Sequence, residues 1–374
     1  DATNAGRFAY MEDLVLGGSD SYTTGIRQDT YYSGPSWNRY FNPDLTWEVG
    51  EKINLGLDLQ LFNDFNLTFD IFREKRRDIF MTRENSIPEI VGTGETKITS
   101  NNGEMENKGL DLAIDYNKQI TKDFFLSFKS TLTFARNKVL KMDEPPYFEY
   151  PGLSDVGHPL GTYWGYVADG LFPDQETIDN SPRQDLGYTP QPGDIKYVNQ
   201  PNAKGEYDNV INSNDRVAIG HPYDPELVYG FGPSMKWKNW DFSFFFQGVA
   251  RTSFMMYGMH PFGTTSIKNM LQFVADDHWS VDNPNPNAAY PRLTKDSNGN
   301  NDQYSTYWLR NAAFLKLKNA EIGYTYKGMR FYLSGVNLLT FSPFKHWDPE
   351  MGGGNGLYYP TQRVFNIGFQ MTIQ

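Results

Sequence analysis

The chain has 374 residues, a formal charge of −11 and a pI near 5.0, which argues against a nucleic-acid groove and against a basic membrane-surface patch. It contains no Cys, hence no disulfide framework, thiol nucleophile or Cys-metal site. Aromatics reach 16%, with 24 Tyr and 27 Phe, yet no stretch approaches the roughly 18 uncharged apolar residues of a membrane helix. Helical spans are excluded; a membrane barrel is not, because its alternating strands average to a hydrophilic score. The opening DATNAGRFAY has neither an initiator Met nor a signal peptide, so Asp1 is expected to lie inside a longer precursor.

In TWEVGEKINLGLDLQLF the odd positions Trp47, Val49, Ile53, Leu55, Leu57, Leu59 and Leu61 are apolar, with Glu51 the break. Glu48, Lys52, Asn54, Asp58 and Gln60 between them are polar. Strand side chains alternate between faces, so this predicts a strand with one greasy and one polar side. Asn63-Asp64 turns the chain, and Phe65, Leu67, Phe69 and Ile71 resume against Asn66, Thr68 and Asp70. Leu110, Leu112, Ile114 and Tyr116 then alternate with Asp111 and Asp115, and Phe124, Leu126, Phe128, Leu132 and Phe134 follow after NKQITKD. YGFGPSMKWKNWDFSFFFQG, from Tyr229 to Gly248, carries its large residues at odd positions up to Trp237 and at even ones from Trp240, with Phe245 the exception. That is a hairpin turning at Lys238-Asn239. FLKLKNAEIGYTY turns at Lys327-Gly328 into MRFYLSGVNLLTF, and Phe365, Ile367, Phe369, Met371 and Ile373 alternate to the end.

Nine strands result, near 46–62, 65–79, 105–117, 123–140, 226–238, 240–256, 312–326, 329–340 and 363–374. Their connections alternate between short (63–64, 118–122, 238–239, 327–328) and long (80–104, 141–225, 257–311, 341–362). A soluble sandwich or propeller shows the same alternation, but mixes loop lengths at both ends. Long loops on one rim and tight turns on the other describe an outer-membrane barrel. Trp47, Trp237, Trp240 and Tyr326 near strand ends suit its interfacial girdle. Leu55, Leu57, Phe69, Leu112, Phe128, Phe231, Phe244 and Phe369 are expected to face lipid. Asn54, Asp58, Asp70, Asp111, Ser243, Asn366 and Gln370 are expected to face the lumen. Nine strands leave two edges, 46–62 and 363–374, for which the missing N-terminal portion must supply partners. Outer-membrane barrels of this kind commonly end on a lipid-facing aromatic; Gln374 falls on the inward side, so one further aromatic residue is expected after it.

Several segments resemble the SusC/RagA-like TonB-dependent outer-membrane transporters: NPDLTWEVGEKINLGLDL (42–59), NNGEMENKGLDLAI (101–114), GTYWGYVADGLF (161–172) and NDRVAIGHPYDPELVYGF (214–231). So do HWSVDNPNPNAAYPRL (278–293), FLKLKNAEIGYTY (314–326) and the closing YYPTQRVFNIGFQMTIQ. The resemblance implies an all-β chain forming about the last nine strands of a 22-stranded barrel, with the plug domain and TonB box outside it. It also implies a SusD-like lipoprotein lid, coupling to TonB, contact with lipid and lipopolysaccharide, and import of an oligosaccharide or peptide. Residues 1–374 are then one barrel portion. A passive porin-type channel and a soluble carbohydrate-binding β-protein are the alternatives.

In the family the loop before NDRVAIG often resembles a DxNGDG calcium loop; here it reads YVNQPNAKGEYDNVINSND, with Lys204 where an oxygen ligand is wanted. Asp208, Asn212 and Asp215 in the 199–215 loop remain candidate calcium ligands, beside the reading of an Asn/Asp-rich turn. The His residues at 158, 221, 260, 278 and 346 lack ligand spacing, and neither G-x-S-x-G nor a Walker A motif occurs. An enzyme is not expected. GGGNG at 352–356 reads as a mobile loop rather than a phosphate cradle. Substrate contacts are expected from loop aromatics: Tyr163, Trp164, Tyr166, Trp279, Trp308, Trp347, Tyr358 and Tyr359, whose faces and polar edges suit sugars or peptide backbone.

Overall fold

The period-two stretches pair with their sequence neighbours in the computed structural model, which describes residues 8–17, 21–83, 85, 87, 90, 98–258, 271–294 and 298–371. Nine strands make one sheet: β1 (Val49–Leu61), β2 (Phe65–Thr82), β3 (Thr99–Thr121), β4 (Phe124–Lys141) and β5 (Leu227–Trp237). The rest are β6 (Trp240–Ala250), β7 (Phe314–Tyr326), β8 (Met329–Phe341) and β9 (Val364–Met371). Their spatial order is their chain order, and every pairing is antiparallel. The connections 62–64, 122–123, 238–239 and 327–328 are tight, and the others are long. Lys327 and Gly328 both have positive φ, 46° and 82°, the two-residue turn whose twist matches that of the flanking strands.

Two expected boundaries move. The strand expected at 105–117 runs from Thr99 to Thr121, and its partner extends to Thr82, so the 80–104 connection shrinks to 83–98. This extension has few apolar residues for alternation to reveal. Polar contacts hold it instead: Lys75 pairs with Glu104 at 3.1 Å, and the Asn101 amide donates to Thr46 O and Asp78 O. The strand expected at 240–256 ends at Ala250, because Arg251 takes a left-handed φ of 55°. Beyond it Ser253–Met255 pairs with Leu309–Asn311 instead.

The register separates the side chains as the alternation predicts. Leu57, Phe69, Leu112, Leu132 and Tyr229 form one row across five strands. Phe244, Ala320, Gly335 and Phe365 form another across four. Rings pack along this face, Phe231 stacked on Phe246 at 5.5 Å and Phe331 tilted against Phe369 at 5.0 Å. The opposite face is a hydrogen-bonded polar surface. Asn54 donates to Asp70, Thr68 to Asp58 and Thr133 to Asp111, while Arg330 pairs with Asp241 and Glu321. Among the described residues every other sheet has two strands and none covers the apolar face, so Leu57 stays 49% exposed. A sandwich needs such a cover. Ile373, Gln374 and the end of the chain lie outside the described residues.

Lysine at Leu112 or Phe231 is expected to destabilise the protein by ~2–4 kcal/mol when it is folded in a bilayer, and lysine at Asn54 by much less. Denaturant titration of the full-length protein in lipid vesicles measures this. Equal costs on the two faces would refute the assignment.

Candidate functional site in the interlocked loops

The chain's buried core lies in the long connections, not under the sheet. Tyr166, Ile195, Tyr197, Ile211, Phe254, Met256, Val274, Trp279, Tyr290, Trp308 and Phe344 pack together, drawn from 142–226, 251–313 and 342–363. Short ladders align them: Tyr163–Gly165 with Val217–Ile219, and Ala168–Leu171 with Ile195–Tyr197.

A polar staple joins the first two connections. Asp194, fully buried, accepts from Arg292 Nε at 2.7 Å and from the Asn298 and Asn301 amides at 2.9 Å each. Asn300 donates to Ile195 O and receives the Tyr197 hydroxyl on its own carbonyl, while Asn301 Oδ1 accepts Ile195 N. Burial pulls the Arg292 pKa down, but Asp194 and Tyr188 together more than restore it, leaving it above its ordinary value. The segment NGNND therefore closes a core rather than decorating a surface turn. Its only sequence signal was the density of Asn, which turns share.

A second clamp ties 342–363 to the sheet. Leu317 pairs with Phe246 and Asn319 with Phe245, so Lys318 is an extra residue, a bulge. Lys316 points from the polar face and is fully buried, 2.6 Å from Asp348 Oδ2 and 2.5 Å from Glu350 Oε2. Lys318 reaches the other Glu350 oxygen at 2.7 Å. Burial pushes both carboxyls up, but Lys316 together with Thr361 and the Glu350 amide at Asp348, and with Lys318 at Glu350, outweighs it and holds both below their ordinary values.

The glycine run also behaves differently from its expected mobile loop. Gly354 N donates to Met255 O at 2.8 Å and Tyr257 N to Gly354 O at 3.1 Å. A Cβ on Gly353 would come 2.3 Å from Met255 O, so close backbone approach requires glycine there. It is a paired strap.

The eight aromatic candidates separate. Tyr166, Trp279 and Trp308, at 3%, 7% and 7% exposure, belong to the loop core, so packing replaces the surface contact expected of them. Trp279 lies against Gly193, Tyr166 against Tyr197, and Trp308 Nε1 donates to Asn301 O. Trp347 is half-buried against Phe254 and Phe344, and Trp164 donates to Asp155 and packs on His158. Tyr163, Tyr358 and Tyr359 keep accessible surface. Tyr163 bonds the Met255 backbone and lies near Tyr223, Tyr257 and Tyr304. The Tyr358 and Tyr257 hydroxyls are bonded, which holds the Tyr257 phenol above its ordinary pKa.

A cavity of about 210 Å³ opens among Tyr257, Tyr304, Asp302 and Gln303, with Tyr290 and Trp308 also in its lining. Tyr257 and Tyr304 were not singled out in the sequence, since single tyrosines in loops carry no periodicity. A wider cleft of about 790 Å³ runs along Gln175, Asp179, Arg183 and Tyr188.

In the 199–215 loop the candidate oxygens serve the backbone. Asp215 accepts from Gln200 N and Asn212 N, Asn212 from Asn214 N, and Asp208 from Val210 N. This is capping geometry, with Asn212 and Asp215 reciprocal around a single 3₁₀ turn. Among the histidines, His346 stacks on Phe273 at 3.8 Å and His278 Nδ1 faces the Val274 and Ala275 carbonyls; His260 lies outside the described residues.

A meander of long strands with one apolar and one polar face, crowned on one rim by folded loops, is the architecture of a membrane β-barrel wall. The family model "TonB dependent receptor-like, beta-barrel" matches residues 8–338, and the chain belongs to that family. TonB-dependent receptor P26 of Formosa agariphila is 28% identical over 399 residues, covering 97% of this chain and 38% of that protein. TonB-dependent receptor SusC of Bacteroides thetaiotaomicron is 27% identical over 390 residues, covering 97% and 35%. The structure of the RagAB peptide importer in its open-open state superposes with a TM-score of 0.69 at 20% identity, over 98% of this chain and 38% of that one. The chain thus spans little more than a third of the length of these relatives.

Replacing Lys316 by Ala removes the buried cation that Asp348 and Glu350 share, leaving Asp348 without an ion pair among the described residues and Glu350 with Lys318 alone, and loop 342–363 is expected to lose about 3 kcal/mol of local stability. Limited proteolysis within 349–358 reads this as faster cleavage; an unchanged rate would refute the clamp. Carboxyls held below their unfolded values stabilise the loop above those values and release it as pH falls through the depressed ones. Protection is therefore expected to stay level from pH 8 to 5 and to fall only below the ordinary carboxyl value of about 4.

Proposed function

We propose that this chain contributes wall strands and external loops to a TonB-dependent importer of the outer membrane. It carries an oligosaccharide or a peptide and works beneath a SusD-like lipoprotein lid. The observation that carries this reading is the union of a two-faced nine-stranded meander with a rim of interlocked loops, in a member of the TonB-dependent receptor-like barrel family. The similarity to RagAB, a peptide importer, supports the peptide class, and the aromatic faces and polar tips of the loop residues support the oligosaccharide class. The polar face lines the path, the apolar face meets lipid, and further strands of the same protein pair with β1 and β9, because lipid cannot satisfy their backbone groups. Lipopolysaccharide surrounds the long-loop rim, and the tight turns lie at the periplasmic side.

Deleting the gene in its source bacterium is expected to abolish growth on the cognate nutrient, and the full-length gene to restore it only where TonB is functional. Growth that needs this protein but persists without TonB would leave a passive channel. Recovery of the full-length protein in the soluble fraction, without heat-dependent gel migration, would leave a soluble binding protein.

A further inference from the structure

We propose that the pocket lined by Tyr257, Tyr290, Tyr304 and Trp308 is a subsite for one neutral sugar ring of the carried ligand, a proposal that rests on the importer reading above. Its volume of about 210 Å³ lies below the roughly 300–1,000 Å³ of pockets for drug-sized ligands, so it suits one ring of a longer molecule. Trp308 and Tyr290, edge to face at 5.3 Å, contribute buried aromatic surface to it. Tyr257 and Tyr304 stand about half exposed beside it, and Tyr358 closes on Tyr257 through its hydroxyl. Aromatic faces with polar tips bind the apolar face of a pyranose while meeting its hydroxyls at the edge.

Position and rigidity both favour this. Tyr257 bonds Gly354 and Tyr358 of the connection that Lys316 holds against the polar face of the sheet, so this wall stands over the transport side. Each wall is fixed by its backbone: Tyr257 N to Gly354 O, and Tyr304 O to Tyr166 N. A ring entering here meets a site already shaped, which reduces the ordering cost of binding. The charge pattern narrows the ligand. Asp302 at the lining disfavours anionic sugars and acidic peptides. A cationic side chain needs only acceptors, whereas phenol hydroxyls and the Gln303 amide both donate and accept, as sugar hydroxyls require.

The test uses the full-length transporter, purified with its lid in detergent, and calorimetric titration. The probes are neutral hexasaccharides of glucose, mannose, galactose and xylose, a hexauronate, and lysine-rich and mixed decapeptides. At least one neutral hexasaccharide is expected to bind. Tyr257→Ala and Tyr304→Ala are each expected to weaken it about tenfold or more. Tyr207→Ala, an exposed loop tyrosine outside this pocket, is expected to leave it unchanged. Tyr257→Phe keeps the ring but removes the bond to Tyr358, and is expected to weaken binding less than Tyr257→Ala. Heat-dependent gel migration checks that each variant still forms the barrel. Binding of peptides alone, of no saccharide, or of a saccharide with unchanged affinity in both alanine variants overturns the subsite. TonB-dependent uptake that ignores these variants would remove the pocket and leave the importer standing. Tyrosine-dependent saccharide binding without TonB-dependent uptake would do the reverse.

Discussion

Every part of this molecule follows from one requirement: a backbone N–H or C=O that leaves water must find a partner. In hydrocarbon an antiparallel sheet meets that requirement only by pairing each strand with its neighbours. A meander does so with the shortest connections, and here all eight pairings join consecutive strands. The side chains are then free to sort by face. Leucine and phenylalanine rows need no partner in an apolar solvent, whereas Asp70, Asp111 and Asp241 sit on the other face, where amide, hydroxyl and guanidinium groups reach them.

The sheet was legible in the sequence for the same reason. Period two is imposed residue by residue, so Leu55, Leu57, Phe69 and Leu112 declare a face without knowledge of any partner. Boundaries were legible only where the apolar signal persisted. The extension of β3 back to Thr99 is held by charge pairs such as Lys75–Glu104, which a period of hydrophobicity does not register. The loops obey no period at all. Their core is assembled from contacts between residues about a hundred positions apart, as in Asp194 with Asn301, and no local pattern distinguishes a buried Trp279 from an exposed Tyr359. Aromatic content marked connections that share a buried core. It could not tell packing from recognition.

Buried polar groups give the loops their shape because they must be satisfied in one arrangement. Asp194 can lie at zero exposure only while Arg292, Asn298 and Asn301 converge on it, and Lys316 only while Asp348 and Glu350 do. Such networks contribute less to stability than apolar packing of equal size, but they penalise alternative packings heavily. That asymmetry suits connections which stand in water, have little apolar surface to spare and still present a fixed surface.

The sheet itself sets where that surface lies. At Arg251 the chain leaves β6, and the next residues become the place where all three folded connections meet. Met255 O accepts Gly354 N, the Tyr163 phenol oxygen accepts from the Met255 backbone, and Met256 N donates to Trp308 O. Tyr257 follows directly. A side chain on Gly353 would collide with the Met255 carbonyl, so the strap cannot be moved without moving this segment. The tyrosine pocket therefore takes its geometry from the continuation of a barrel strand and not from the loops that furnish its walls, which lets the loops vary while the pocket stays registered to the wall.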